Sequence, residues 1–468
     1  MSGAATTSTP EVKIPEFKQI MGHPGPLWML FMTEFWERFA FYGIRWALVL
    51  YVVSQFYGGD SAGEQPAGLI YGSYLALVYA GAVFGGYVAD RVIGYQRSIL
   101  VGAVFMAAGL FAITFPDPDV FKLGLATIVV GNGLFKPNIS TMVGKLYSVS
   151  DTRRDSGFTI FYMGINAGGF LAPIVTQQLA QKVFNVGDTP DYKVVFYTAG
   201  VGMLISLVWF AIGRRTLAGI GAPTSETGSP RRLIAVVLGG LCAIPLVYLL
   251  LKVGAQNLQI VLTVLFIVLA IMLMVEGVRN GPVARDKTIA MMIIFAFNIL
   301  FWMFFEQAGS SFTFLADQIV DRTNVAGMDV FPVAWFQSVN AIAIITCAPI
   351  VAATRIWLAR RNADPSIPRK FGLGLIFNGL AFLLLMFALQ QLVGQDGKIP
   401  FWTLFAVYWI QSVGELCLSP IGLSMVTKLA PTRLVGLGMG GWFLSTGIGN
   451  NLSGIFASVV SGEKGMTV

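Results

Sequence analysis

Charge is scarce in this chain. Only 12% of its 468 residues are Asp, Glu, Lys or Arg, about half the roughly 25% of an ordinary soluble domain. Histidine is reduced to one residue, His23, ahead of the first apolar run, so a histidine relay through the interior is excluded and His23 reads as interfacial. The three cysteines, Cys242, Cys347 and Cys417, stand far apart in apolar segments. That spacing excludes a thiolate metal site and leaves buried, inert thiols as their reading. No stretch carries the spaced glycines before Gly-Lys-Ser/Thr that cradle a nucleotide phosphate, which argues against drive by ATP. A nucleophile–base set and a cofactor loop are also missing, so an enzyme is not expected and no cofactor is implied. Residues 1–25 are polar and include Lys13 and Lys18, unlike a cleavable signal peptide. The net charge of +7 follows the alternation of loops described below, so nucleic acid is not an expected partner.

What is present is apolar length. Hydrophobic residues make up 55% of the chain, mean hydropathy is +0.71, and runs of about 20 apolar residues, the length that crosses a bilayer, recur throughout. The pattern predicts thirteen spans at 27–54, 69–90, 97–115, 121–144, 157–180, 194–212, 233–251, 257–276, 287–316, 332–356, 371–391, 401–428 and 434–460. Basic loops such as Arg153-Arg154, Arg214-Arg215 and Arg360-Arg361 alternate with acidic ones such as 117–119. With the N-terminus in the cytoplasm, only Lys122, Lys182, Lys193, Lys252, Arg322 and Lys398 fall in outer loops, as the positive-inside rule requires. A multi-pass protein of the cell (inner) membrane with a cytoplasmic N-terminus is expected, its lipid bilayer being a partner in itself.

The second span ends in a glycine-rich string from Gly81 to Gly94 that carries Asp90 and Arg91. Small residues let helices approach closely, and a charged pair at the membrane edge suits a latch between bundles. The string resembles the loop 2–3 motif of the major facilitator superfamily, an all-α fold of two six-helix bundles that alternate around a central site. The expected division is a cytoplasmic N-terminal segment (1–26), a first six-helix bundle (27–212), a cytoplasmic linker (213–232), an inserted transmembrane hairpin (233–276) and a second bundle (277–468). That second bundle would have five of its six helices, the last core helix falling outside the sequence. The Gly/Ser/Thr/Pro-rich stretch 218–230 reads as flexible, and the hairpin, with few ionisable groups, as peripheral.

The scarce charges sit where they are costly. Glu34, Glu37, Arg38 and Arg45 lie in the first span, Lys136 in the fourth, Glu306 and Glu415 in the second bundle. Ionisable groups at membrane depth face a bundle interior or a wet cavity and mark an ion or substrate path. Glu34, Arg38 and Arg45 share a helix face at intervals of four and seven. An apolar bundle does not hold a lone carboxylate charged: the group pairs with a cation or takes up a proton, and that competition is the chemistry of a proton-coupled carrier. Lys136, between Gly133 and Pro137, is a candidate partner for Glu37 or for a substrate carboxylate. Glu306 is a candidate partner for Arg45 across the two bundles, and Glu415 a seat for a positive substrate group. Asn166, Asn298 and Asn340 can donate and accept at once. Tyr42, Tyr79, Tyr162, Trp302, Trp442 and Phe443 are candidates to line a pocket. A two-signed inventory of this kind suits a zwitterionic or charged solute, and a short peptide better than a sugar.

Glu34-Phe-Trp-Glu37-Arg38 resembles the ExxER signature of the proton-dependent oligopeptide transporter family, and Phe161 to Gly168 is similar to that family's span-five signature. Phe304-Phe-Glu306-Gln307, Gly414-Glu415-Leu-Cys-Leu-Ser-Pro420 and Gly441-Trp442-Phe443 match its second-bundle motifs, and the hairpin resembles the extra helix pair of bacterial members. The resemblance, over roughly residues 24–460, implies proton-driven import of di- and tripeptides by alternating access, with protons as coupling ion. It implies proton coupling by Glu34, Glu37, Arg38, Lys136 and Glu306. It places Arg45, Tyr42, Tyr79, Lys136, Asn166, Trp302, Asn340, Glu415, Trp442 and Phe443 on the peptide, and gives gating to Asp90, Arg91, Arg45 and Glu306. Phe41 stands where many members have tyrosine. A functional monomer is expected. A related carrier of nitrate or another small anion, and a peptide receptor that transports nothing, are the alternatives.

Overall fold

A computed structural model of the chain describes residues 14–148, 151–184, 189–225 and 227–462. Residues 1–13 of the expected N-terminal segment and 463–468 of the expected second bundle lie outside that set. The described residues form the helices α1 (Gly25–Phe56), α2 (Glu64–Val88), α3 (Tyr95–Ala112), α4 (Pro118–Lys145), α5 (Arg154–Gln178), α6 (Tyr192–Gly213), α7 (Pro230–Lys252), α8 (Ala255–Arg279), α9 (Pro282–Phe305), α10 (Ser311–Gln318), α11 (Trp335–Arg360), α12 (Ile367–Gln391), α13 (Phe401–Leu429) and α14 (Val435–Ser461). Among the described residues, eleven helical segments are long and apolar enough to cross a membrane. α4 and α14 have that length too, 28 and 27 residues, but Asn132, Lys136 and Asn138 in one and Ser445, Thr446, Asn450 and Asn451 in the other lower their apolarity. The fold is an all-α, multi-pass membrane fold.

Local sequence explains the helix ends. Proline opens α1, α4, α7, α9 and α12 within the first two positions, where its missing N–H would have no intrahelical partner. Asp117 caps α4, its side chain accepting from the amides of Asp119 and Val120 at 2.9 Å. The turn between α7 and α8 passes through Gly254 at φ 89°, a backbone region closed to most side chains.

Helices α1 to α6 pack on one another as one half, and α9 with α11 to α14 as the other. The hairpin α7–α8 lies outside both, with α7 against α4 and α8 against α9 and α14. Its outer face is apolar and exposed, Cys242 included, so that thiol is not buried as expected: a small apolar side chain is at home on a lipid-facing surface.

Two expectations need correction. Span 287–316 is not one helix: α9 stops at Phe305, a 3-10 turn covers Glu306–Gly309, and α10 follows. The stretch 218–230 is not free. Gln96 donates to the Gly221 carbonyl through its backbone amide at 2.9 Å and to the Ile220 carbonyl through its side chain at 2.8 Å, and Arg97 donates to the Gly228 carbonyl at 2.9 Å, so the first residues of α3 bind the linker to the first half.

The halves meet on the membrane side where α1 ends at Phe56 (the distal side). There α2 and α14 run along a seam of small residues, Gly68, Gly72 and Ala76 against Gly447, Gly454 and Ala457. A Cβ on Gly72 would sit 2.6 Å from the Gly454 Cα, closer than any side chain allows. Ser73 donates to Asn451 Oδ1 at 3.1 Å, Gln318 to Glu64 at 2.7 Å, the Ala334 amide to Gln177 Oε1 at 2.7 Å, and Ser338 to the Phe170 carbonyl at 2.8 Å. On the proximal side, where α1 begins, no hydrogen bond joins the two halves among the described residues, and Phe84, Tyr87, Asp90 and Arg91 are exposed. The described hydrogen bonds between the halves thus gather away from the proximal side, where α2 and α14 still approach at Val83 and Gly440.

Candidate functional site

The break after α9 brings Glu306 to α1. Arg45 donates to Glu306 Oε2 at 2.7 Å and, through Nε, to the Tyr71 hydroxyl at 2.9 Å. Tyr71 in turn lies 3.4 Å from the same carboxylate oxygen. All three are buried. Gly309 makes room for this arrangement, because a Cβ there would overlap the Tyr71 hydroxyl. One charge pair thus ties the first half to the second at the level of the distal seam. Breaking a buried pair by removing one partner costs about 3–5 kcal/mol, so opening the seam requires the pair to be exchanged for other charges or neutralised by a proton.

Two turns towards the proximal side, Arg38 is held between two carboxylates. It makes a two-pronged contact with Glu37, one prong at 2.6 Å, and lies 3.4 Å from Glu34. Asn132 of α4 also donates to Glu37 at 3.3 Å. Lys136 does not pair with Glu37, against the expectation. Its ammonium lies over the Tyr79 ring, 4.7 Å from the centroid, within electrostatic reach of Glu34, Glu37, Arg38 and Glu306. Arg38 grips both Glu37 oxygens, and the α4 side chain turned to that carboxylate is Asn132. Tyr79 meets Trp302 of the second half at 6.4 Å between ring centroids, and Trp302 is fixed by a 3.0 Å hydrogen bond to Asn298 Oδ1. Asn298 itself donates to Ser445 and Thr446 of α14 at 2.8 and 2.9 Å.

The second half supplies the opposite wall. Asn340 of α11 donates to Glu415 of α13 at 2.9 Å and to Ser412 at 2.9 Å, so the half-buried Glu415 has an amide partner and no cation within ion-pair distance among the described residues. Tyr42 lies within electrostatic reach of Arg38, Arg45, Glu306 and Glu415, which locates all four charges around one region. Asn166 spends its amide on the Tyr162 carbonyl one turn back, at 2.9 Å.

Other expected residues lie elsewhere. Trp442 is buried against Phe371, ring centroids 6.1 Å apart, over the gap left by Gly422. It packs α14 onto α12 and α13, and Phe443 is half-buried beside the same cluster. Asp90 accepts from Tyr95 in its own half, and the Arg91 carbonyl accepts from Arg232 at 3.4 Å. Neither joins the two halves. His23, two residues before α1, is buried, with Nδ1 2.8 Å from the Tyr147 hydroxyl. Tyr71 and Asn132 were missed: a tyrosine or asparagine amid apolar neighbours gives no sign of which charge it faces. Among the described residues no group of three His, Cys, Asp or Glu side chains gathers to hold a metal ion.

The model of the POT family matches residues 96–466. The chain belongs to the POT family. The peptide transporter YePEPT of Yersinia enterocolitica subsp. palearctica is 34% identical, over 96% of this chain and 90% of that protein. A crystal structure of a mutant peptide transporter POT in complex with alafosfalin superposes with a TM-score of 0.81 at 35% identity, covering 94% of this chain and 89% of that one. The expectation of a functional monomer is corrected by a third likeness. PepTSo2, 28% identical over 92% of this chain and 88% of its own with a TM-score of 0.78, is tetrameric in its crystal structure. The expected monomer therefore does not stand for this POT-family transporter.

Proposed function

We propose that the protein is a proton-coupled symporter that imports di- and tripeptides by alternating movement of its two halves. The observation that carries this reading is the buried Arg45–Glu306 pair between the halves, set near an amide-held Glu415 on the opposite wall. A peptide has the complementary pattern: its carboxylate competes with Glu306 for Arg45 and meets Lys136, while its ammonium meets Glu415, with Asn340 beside it. Tyr42, Tyr79 and Trp302 flank its side chains. Protonation of Glu306 or of the Glu34–Glu37 pair releases Arg45 or Arg38, and the substrate's own charges replace the partners lost. The small molecules and peptide transporters named among the relatives support this choice of substrate class.

In this reading the proximal side is cytoplasmic, supported by the basic loops there, and the distally closed form faces the cytoplasm. The division into N-terminal segment, first bundle (27–212), linker (213–232), hairpin (233–276) and second bundle is consistent with the packing, each hairpin helix running about three residues past the expected limit at one end.

The test is transport of labelled dialanine into liposomes holding the purified protein. Uptake displaced by excess dialanine and trialanine, but not by nitrate or free alanine, is expected. Uptake displaced by nitrate alone would overturn the reading.

A further inference from the structure

The outer side of α6 carries a groove of about 530 Å³, far from the charges between the halves. Val201, Ile205, Val208, Trp209 and Ile212 line it together with Met29 of α1. Its lining is apolar as far as Gly213 and Thr216, which close its proximal end. Val208 and Ile212 are 54% and 69% exposed, so this chain does not cover them. The walls are fixed. Trp209 donates its indole N–H to the Met29 carbonyl at 3.2 Å, which ties the ring to α1. Gly213 lets the two helices touch there, because a Cβ on it would overlap the Met29 side chain. From Val201 to Ile212 the helix rises about 16 Å, close to half of a hydrocarbon core roughly 30 Å thick. Distal to Val201 the face changes, with the Tyr197 ring set against Phe111, centroids 6.2 Å apart. The groove therefore has the depth of one leaflet, the proximal one. A helix of another chain crosses both leaflets, whereas an acyl chain ends where this groove ends.

Charge stands at the proximal end of this groove. Arg214 and Arg215 lie in the chain between the two residues that close it, in a 3-10 turn over Arg214–Leu217. The Thr216 hydroxyl donates to the Gly213 carbonyl at 2.7 Å and holds the turn. Both arginines are exposed, and neither side chain has a hydrogen bond or an ion pair among the described residues. Trp209 lies about one turn deeper, and tryptophan is enriched at the membrane–water boundary, which sets the arginines at headgroup level. Guanidinium groups grip phosphate oxygens two at a time, and basic residues at this level attract anionic headgroups. We propose that α6 binds one anionic phospholipid of the proximal leaflet, with an acyl chain in the groove from Val201 to Ile212 and the phosphate on Arg214 and Arg215. A zwitterionic phospholipid offers the same tail, but its own ammonium competes with the arginines for the phosphate. The site stands whether or not the protein carries peptides, since it shares no residue with the region around Arg45 and Glu415.

The experiment titrates delipidated full-length protein with equal amounts of dioleoyl phosphatidylglycerol and dioleoyl phosphatidylcholine. Native mass spectrometry reads the retained lipid and the oligomeric state together. Wild type is expected to hold one phosphatidylglycerol more tightly than any phosphatidylcholine. The double variant Arg214→Gln with Arg215→Gln is expected to weaken that lipid roughly 10- to 30-fold, the size of two basic residues beside an anionic headgroup. Arg360→Gln with Arg361→Gln removes equal charge from another proximal basic loop and is expected to leave it unchanged. Val208→Trp keeps both arginines but fills the groove, and is expected to lose the same lipid. Leu204→Trp takes its place if that variant does not fold. Equal weakening by the two arginine pairs would overturn the site, because general surface charge would then account for binding. Wild-type affinity in the folded groove-filling variant would overturn it too, and an oligomer broken by that variant with its lipid retained would give the groove to a second copy of the chain. Displacement of the lipid by excess glycerol phosphate would leave a plain phosphate site without the groove. Wild type with no preference between the two lipids would also overturn the proposal.

Discussion

Arg45 and Glu306 hold opposite charges in an apolar setting, and each is tolerable only because of the other. Substituting Glu306→Gln keeps the shape but removes the charge, so Arg45 keeps one hydrogen bond to Tyr71 and loses its ionic partner. The expected result is a population shift towards the distally open form, seen as longer distances between spin labels on the distal ends of α2 and α14. Unchanged distances would show that the pair does not hold the seam. Arg38 plays a similar part for Glu34 and Glu37. Glu37→Gln is expected to abolish proton-driven accumulation while sparing counterflow, which isotope exchange measures directly. The sequence displays these charges plainly, because ionisable residues stand out in apolar helices. It does not display their partners. Lys136 is as available as Arg38 by composition, and only the packing of α4 against α1 and α2 turns Asn132 to Glu37 and Lys136 to Tyr79.

At the scale of elements, most helices were legible to within a few residues, since apolar length and proline or aspartate starts mark them. The break at Glu306 was not legible because the apolar run 287–316 is continuous. It arises from the meeting of Gly309 with Tyr71, 238 positions earlier in the chain. The binding of the linker was hidden for the same reason, as Gln96 and Arg97 lie far from the residues they hold. The α2–α14 seam depends on missing side chains. Gly72→Leu is expected to force the helices apart at a cost of about 1–3 kcal/mol, typical of overpacking, and to reduce uptake. Gly86→Ala, which points into open space, is expected to leave uptake unchanged. Equal uptake by both variants would mean that the seam does not close tightly. The hairpin joins this seam through Asn451, which donates to the Ala255 carbonyl at 2.8 Å and Gln259 at 3.0 Å while accepting from Ser73. Asn451→Leu is therefore expected to lower stability by about 1–3 kcal/mol, the cost of stranding buried partners, read as a lower melting temperature in detergent.

Across the whole molecule, the described residues join the halves distally by a small-residue seam, side-chain hydrogen bonds and one buried ion pair, and show no hydrogen bond between the halves proximally. That asymmetry gives the charges their use. A substrate reaching the region near Tyr42 from the proximal side finds Arg45 engaged with Glu306 and Glu415 held only by an amide. From the distal side it finds nothing until the pair yields. Coupling then follows if the pair yields only when protons or peptide charges replace what each partner loses. The most direct measurement is accumulation of labelled dialanine in liposomes under an inward proton gradient, with and without a protonophore. Concentration above the external level that collapses on adding the protonophore is the predicted result. Equilibration to the external level at the same rate in both conditions would contradict proton coupling.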